Sequence, residues 1–111
     1  MGRKKICPEC DIPIDVVRLV RFLCAGYDRR VRSIKYGTYS AGVLKEYRRQ
    51  NAAIDAALSS VEPEIRQLIL ADIAEGRGYN RSGVVYMCES AYTKRKRRVV
   101  HDIASNLKLI E

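Results

Sequence analysis

The most informative part of this sequence is the stretch 90–107, Ser-Ala-Tyr-Thr-Lys-Arg-Lys-Arg-Arg-Val-Val-His-Asp-Ile-Ala-Ser-Asn-Leu. Projected as an α-helix at about 100° per residue, it gathers its apolar side chains into one narrow arc. These are Tyr92, Val99, Ile103 and Leu107. The opposite face is polar and holds Ser90, Thr93, Lys94, Arg97 and His101. Lys96 projects into the apolar arc and fits this register poorly. The spacing predicts an amphipathic helix with a donor-rich outer face.

The residues before this helix predict two more helices of the same unit. One spans Pro63–Glu75 and ends at Gly76, because glycine tolerates the left-handed conformation of a helix stop. A short second helix covers about 81–87, and Ser90 is the predicted N-cap of a last helix that reaches about residue 109. Helices of these lengths predict a tri-helical helix-turn-helix unit over residues 62–111, with its last helix in a DNA major groove.

The basic side chains of this unit divide into two predicted roles. Arginine and lysine donate to guanine acceptors and to phosphate oxygens, so both roles use the same residue types. The predicted base-reading residues are Ser90, Thr93, Lys94 and Arg97. The predicted phosphate-binding residues are Arg77, Arg81, Arg95 and Arg98. The alternative interpretation of the run 94–98 is a solvated basic face or a localisation-type cluster.

The N-terminal part of the chain predicts a long antiparallel helical hairpin. A helix over Pro13–Lys35, with Asp11 as its N-cap, and a second over 41–60 are joined by a turn at 36–40. Asn51 lies on the apolar stripe of the second helix, where it either fixes register or oligomeric state or lies at a partly exposed edge. We therefore predict an all-α fold in one compact domain, with a basic tail at 1–10, a hairpin scaffold at 11–61 that is also a candidate homodimer interface, and the helix-turn-helix unit.

The charge of the chain favours a polyanionic partner. Its 111 residues contain 21 Lys and Arg against 13 Asp and Glu, a net charge of +8, and 47% apolar residues exclude a disordered chain. Residues 77–111 carry eight basic and three acidic side chains, whereas residues 1–76 carry thirteen and ten. The asymmetry predicts that double-stranded DNA meets the C-terminal end, ahead of an anionic membrane surface.

Several other classes of function are disfavoured. The most apolar stretch, 12–25, is interrupted by charges, so we expect no membrane span and no signal peptide, and a cytoplasmic protein with reduced cysteines. His101 is the only histidine and nothing assembles an active site, so the chain is predicted not to be an enzyme. Most of the seven tyrosines are expected to pack in the core, with a solvated hydroxyl, rather than to stack on single-stranded bases.

Cys7-Pro-Glu-Cys10 has the spacing of half a zinc site, because two thiolates two residues apart can share one tetrahedral ion. Two further ligands are missing from the neighbouring sequence. Zinc shared between two chains, a redox pair and ordinary surface thiols all stay open, and we predict that no cofactor is needed.

The stretch Pro63–Leu107 resembles region four of bacterial sigma factors. It is more closely similar to sigma-like phage and prophage transcriptional regulators of the ArpU and RinA type. The residues that carry the resemblance are Ile54-Asp-Ala-Ala-Leu58, Pro63-Glu-Ile-Arg-Gln-Leu-Ile-Leu70, Gly78-Tyr79, Met87–Arg97 and Asp102–Leu107. In those families a Ser-x-Tyr-x-x-Arg-x-Arg segment opens the recognition helix, which corresponds to Ser90, Tyr92, Arg95 and Arg97.

The resemblance implies a sequence-specific transcriptional regulator of phage or prophage genes. Two alternatives remain. One is a DNA-packaging recognition subunit like the small terminase subunit, which acts as a ring. The other is a sigma-like module that contacts RNA polymerase and binds free DNA weakly.

Overall fold

The computed structural model describes residues 12–78 and 87–110, and within them the chain is all-helical, as predicted. No strand occurs in these two ranges. The five helices are α1 (Ile14–Ala25), α2 (Tyr27–Tyr36), α3 (Ala41–Leu58), α4 (Pro63–Glu75) and α5 (Glu89–Asn106).

The predicted continuous helix over Pro13–Lys35 is wrong, because the chain breaks at Gly26 into α1 and α2. The cause is a buried arginine one turn later. The Arg30 guanidinium covers Gly26 so closely that a Cβ there would lie 2.6 Å from Nη1. Arg30 Nη2 donates to the Leu23 carbonyl, and Nε donates to Asn51 Oδ1 at 2.7 Å. A glycine therefore leaves room for the buried guanidinium at the break.

Asn51 is buried and is not a partly exposed edge. Its amide accepts from Arg30 and donates to the Tyr27 carbonyl at 3.3 Å. Arg30 itself is only 2% exposed, and burial lowers the pKa of its guanidinium. This polar pair fixes the register of α2 on α3, which is the first of the two roles expected for Asn51.

The long antiparallel hairpin is present only in part, because α2 packs on α3 while α1 packs mainly on α4 and α5. A single apolar core joins the two halves of the chain and includes side chains of α1, α3, α4 and α5. Its most completely buried apolar side chains are Val20, Ile54, Ile65, Ile69, Tyr92, Val99, Ile103 and Ala104.

Residues 27–50, here called the arm, contribute no buried side chain to this core, although Tyr27 at the start of the arm packs against it. The arm consists of α2, the turn 37–40 and the first part of α3, and it contains no buried apolar side chain. Ser40 caps α3 by accepting from the Val43 amide at 3.4 Å. Val31 and Val43 are 42% and 38% exposed. The arm is thus held largely by polar contacts, with apolar side chains that are at most partly buried.

Several predictions fall outside the described residues. These are the tail at 1–10 with Cys7 and Cys10, the N-cap Asp11, and the short helix at 81–87 with Arg81.

Candidate nucleic-acid interface

Helix α5 is fixed to the core along the predicted apolar face. Tyr92, Val99 and Ile103 are fully buried, and Leu107 closes the helix as its buried C-cap. The helix ends at Asn106 rather than near residue 109, and Lys108 after it takes a left-handed φ of 58°. The Asn106 amide donates to the Ala53 carbonyl at 3.1 Å and joins this end of α5 to α3.

The predicted base-reading residues lie together on the outer face of α5. Ser90, Lys94 and Arg97 are exposed, and Thr93 between them is half-buried. Within the described ranges, no carboxylate lies within ion-pair distance of Lys94 or Arg97. We call Ser90, Thr93, Lys94, Arg97 and Arg98 the α5 basic face.

The predicted phosphate-binding arginines are placed differently from one another. Arg98 is largely exposed, with its Nε 3.8 Å from an oxygen of Asp102 one turn later. Arg95 is paired with Glu62, whose two oxygens accept from Nε at 2.8 and 3.1 Å. This pairing lowers the pKa of the Glu62 carboxyl. Arg98 is therefore available to an external anion, whereas Arg95 is already paired with a carboxylate of the protein itself.

Arg77 also has acidic partners inside the protein. Its Nε lies 2.9 Å from an oxygen of Glu75 and 3.0 Å from one of Asp72. The second contact is at ion-pair distance, although the N–H is not aligned for a hydrogen bond. Arg77 thus closes the end of α4 by pairing with the buried Asp72.

The buried carboxylate of Asp72 was not among the site residues predicted from the sequence. Asp72 is fully buried and accepts a hydrogen bond from the Tyr92 hydroxyl. The pair links the end of α4 to the first turns of α5, and so it positions the basic face on the core. A signal was present in the sequence, since Asp72 shares its helix face with Ile65 and Ile69, both fully buried.

The poor fit of Lys96 to the apolar arc is resolved by a backbone acceptor. Its Nζ donates to the Arg77 carbonyl at 2.5 Å, just beyond the C-terminus of α4. Lys96 is half-buried, and its ammonium donates to a backbone carbonyl in the segment that follows α4. Lys96 is therefore a second link between α4 and α5.

The start of α5 differs by one residue from the prediction. The helix begins at Glu89 with Cys88 as its N-cap, so the prediction of Ser90 as N-cap is wrong. Cys88 takes an extended conformation, and its carbonyl accepts from the Tyr92 amide at 3.0 Å, which places Ser90 inside the first turn. An open groove of about 1000 Å³ runs beside this turn and the α5 basic face.

The Cys88 thiol is exposed at this groove, and its Sγ lies 3.4 Å from the Ser90 hydroxyl. Hydrogen bonds from the Ser90 side chain and then the Ala91 backbone amide lower the pKa of Cys88. Cys24 is the opposite case, because burial raises its pKa to about 12. The two thiols differ strongly in expected reactivity.

The arm is a second basic surface that sequence reasoning missed. Residues 27–50 contain seven basic and two acidic side chains, a stronger bias than the five and two of α5. The excess was hidden because it was averaged with the acidic segment 51–76. A shorter window would have revealed it.

Most of the described tyrosines are not core residues, contrary to the prediction. Tyr92 alone is buried among the five in the described ranges. Tyr36 and Tyr39 are exposed near the tip of the arm, and the ring of Tyr39 meets that of Tyr47 edge to face at 5.8 Å.

The described ranges contain no group of three or more histidine, cysteine or acidic side chains arranged to hold a metal ion. They also contain no helix with the length and apolar character needed to cross a bilayer. Comparison with protein-family models, curated proteins and solved structures gave no match for this chain.

Proposed function

We propose that this protein is a sequence-specific DNA-binding transcriptional regulator that places the N-terminal half of α5 in a major groove. One observation carries the proposal. The α5 basic face presents Lys94 and Arg97 without acidic partners among the described residues, on a helix whose opposite face is packed in the core through Tyr92, Val99 and Ile103. A surface of fixed donors without competing protein acceptors suits base-edge hydrogen bonding.

The fixed orientation of α5 supports a specific, rather than a merely electrostatic, contact. Base discrimination requires side chains held in one register, whereas phosphate attraction only requires charge. Tyr92 with Asp72, and Lys96 with the Arg77 carbonyl, connect the first turns of α5 to α4. The scaffold therefore restrains the helix from sliding or rotating when Arg97 approaches a base.

The roles of the basic residues follow from their surroundings. Arg97, Lys94, Ser90 and Thr93 are proposed to contact base edges, and Arg98 to hold a phosphate. Arg95 and Arg77 must give up acidic partners before they bind phosphate, so their contribution is expected to be smaller than that of Arg98. The interaction is non-covalent and needs no cofactor, so binding should survive treatment with a metal chelator.

The biological role rests on the resemblance to sigma-like phage and prophage regulators over residues 63–107. It implies control of phage or prophage genes in the cytoplasm, with RNA polymerase as a further candidate partner. An enriched site with two-fold symmetry and half-sites about one helical turn apart would indicate that two copies bind together.

The test is selection of bound fragments from the source genome at near-physiological salt, followed by sequencing. Enrichment of one promoter-proximal site is expected. Enrichment beside terminase genes would favour the packaging subunit. Retention no better than bulk DNA would contradict the proposal and direct the search to RNA polymerase.

Two single substitutions separate the proposed roles. Arg97→Ala should remove about 1–3 kcal/mol of discrimination between the selected site and bulk DNA. Arg98→Ala should weaken binding to every duplex equally and reduce the salt dependence by about one phosphate contact. Equal losses on all duplexes for both variants would contradict this division.

A further inference from the structure

The arm has the charge of a nucleic-acid-binding surface but is not part of the helix-turn-helix unit. Of its seven basic side chains, Arg30 is buried and serves the contact with Asn51. Arg49 is paired with Glu46 at 2.6 Å, and Arg29 donates to the Tyr47 hydroxyl at 3.2 Å. The remaining four have no hydrogen-bond or ion-pair partner of this kind among the described residues. They are Arg32, Lys35, Lys45 and Arg48.

These four side chains are exposed and have no carboxylate within ion-pair distance among residues 12–78 and 87–110. Arg32 and Lys35 are one turn apart on α2, opposite the buried Arg30 and Ser33. Lys45 and Arg48 are one turn apart on the exposed side of α3. Each helix of the arm therefore carries a pair of outward-facing cations.

The tip of the arm adds neutral donors beside these cations. Tyr36 is 71% exposed and lies beside Lys35, whose ammonium is 5.5 Å from its ring centre. Tyr39 is 47% exposed. Tyrosine hydroxyls and basic side chains are both common donors to phosphate oxygens.

A second copy of the chain is a poor occupant of this surface. In a two-fold dimer the same patch meets itself, so the unpaired cations of one arm would approach those of the other. Like charges brought together in this way oppose association. Interfaces between protein copies also exclude charge from their centres, whereas here exposed Val31 is directly followed by Arg32. The charge of the arm matches a polyanion.

We propose that the arm binds the phosphate backbone of DNA outside the segment contacted by α5. This inference rests on the proposed function, since it makes the arm a second, sequence-independent contact on the same duplex. It also explains why the cations of the arm are not supported by apolar packing, because phosphate contacts tolerate side-chain movement.

The test measures the salt dependence of binding to a labelled mixed-sequence duplex of about 40 base pairs by fluorescence anisotropy. The arm variants are Arg32→Gln with Lys35→Gln, and Lys45→Gln with Arg48→Gln. The matched control removes two exposed cations elsewhere, by Arg18→Gln with Lys108→Gln. A variant of the α5 basic face, Lys94→Gln with Arg97→Gln, is measured in parallel, and unchanged melting temperatures confirm that each variant folds.

At least one of the two arm pairs should reduce the slope of log K against log salt by about 1.8, which corresponds to two phosphate contacts. The control pair should leave the slope unchanged. The proposal is overturned if both arm pairs behave like the control. It is also overturned if the arm variants leave the slope unchanged but convert a dimer to a monomer in sedimentation, because a second copy would then cover the arm.

The two proposals fail separately. If the arm variants match the control while the α5 variant loses selection of one site, the arm proposal is wrong and the proposed function stands. If an arm pair reduces the slope while the α5 variant selects and binds like the unmodified protein, the arm binds DNA and the proposed function is wrong.

Discussion

The α5 basic face and the arm carry similar positive charge but differ in the packing beneath their charged side chains. Behind the α5 basic face, Tyr92, Val99 and Ile103 are fully buried in the core. Behind the cations of the arm there is no buried apolar side chain, and the polar pair Arg30–Asn51 holds α2 on α3. The comparison indicates that charge attracts a polyanion, whereas the packing beneath it determines whether individual side chains can discriminate bases.

The largest expected effect compares one residue type in the two regions. Tyr92→Ala should lower the free energy of unfolding by about 3–5 kcal/mol, because it leaves a cavity and removes the partner of buried Asp72. Tyr36→Ala, at an exposed tyrosine of the arm, should change it by less than about 0.5 kcal/mol. Urea denaturation measures both, and similar losses would contradict the distinction between a packed and an unpacked surface.

The next effect concerns the polar contact that replaces packing in the arm. Gly26→Ala should cost about 1–2 kcal/mol, because its Cβ displaces the Arg30 guanidinium from its hydrogen bonds. In an Arg30→Ala background the same substitution should be close to neutral. A double-mutant cycle measures the coupling. Additive costs would show that Gly26 is required by the backbone and not by Arg30.

A chemical modification tests whether the first turn of α5 lies at the DNA contact. In a Cys7→Ser, Cys10→Ser background, N-ethylmaleimide should react with Cys88 and spare Cys24. Thiolate is the reacting form, so the rate rises with pH, and the lowered pKa of Cys88 moves this rise below the pH range of an ordinary thiol. The adduct at the first turn of α5 should weaken binding of the selected site by about tenfold or more.

Cys88→Ser is the control for this experiment, because it should bind DNA normally and resist inactivation. Undiminished binding by the modified protein would place the DNA contact elsewhere.

The smallest expected effect comes from removing the acidic partner of one arginine in each region. Glu62→Gln removes the carboxylate that pairs with Arg95 on α5, and Glu46→Gln removes the one that pairs with Arg49 in the arm. Each should steepen the salt dependence of duplex binding by up to about 0.9, with a few-fold gain in affinity at low salt. Anisotropy titrations measure the slopes. A change for Glu62→Gln alone would restrict the DNA contact to the α5 side.

Much of the fold was predictable because apolar spacing and helix stops are local features. The all-α class, the bounds of α4 and the buried face of α5 followed from residues close together in the sequence. The break at Gly26 did not, because its cause is the contact between Arg30 and Asn51, which lie far apart in the sequence. The continuous helix predicted over Pro13–Lys35 did not allow for a buried guanidinium. Such a group can be buried when carbonyl and amide oxygens accept its hydrogen bonds.

The candidate site was predictable to a similar depth. The side of α5 that carries Ser90, Lys94 and Arg97 followed from its periodicity, and these side chains are exposed as expected. The ion pair of Arg95 was not predictable, because Glu62 reaches it only after α4 and α5 pack together. The ion pairs of Arg77 with Asp72 and Glu75 are local to the end of α4 and were overlooked. The single charge count over residues 1–76 concealed the arm.

The most direct test of the central claim is methylation interference on the selected site. Methyl groups on guanine N7 project into the major groove, whereas those on adenine N3 project into the minor groove. We expect that N7 methylation of one or two guanines blocks binding. Binding by the Arg97→Ala variant should no longer be affected by methylation of at least one of these guanines. Binding that ignores N7 methylation but is blocked by N3 methylation would contradict the placement of α5 in the major groove.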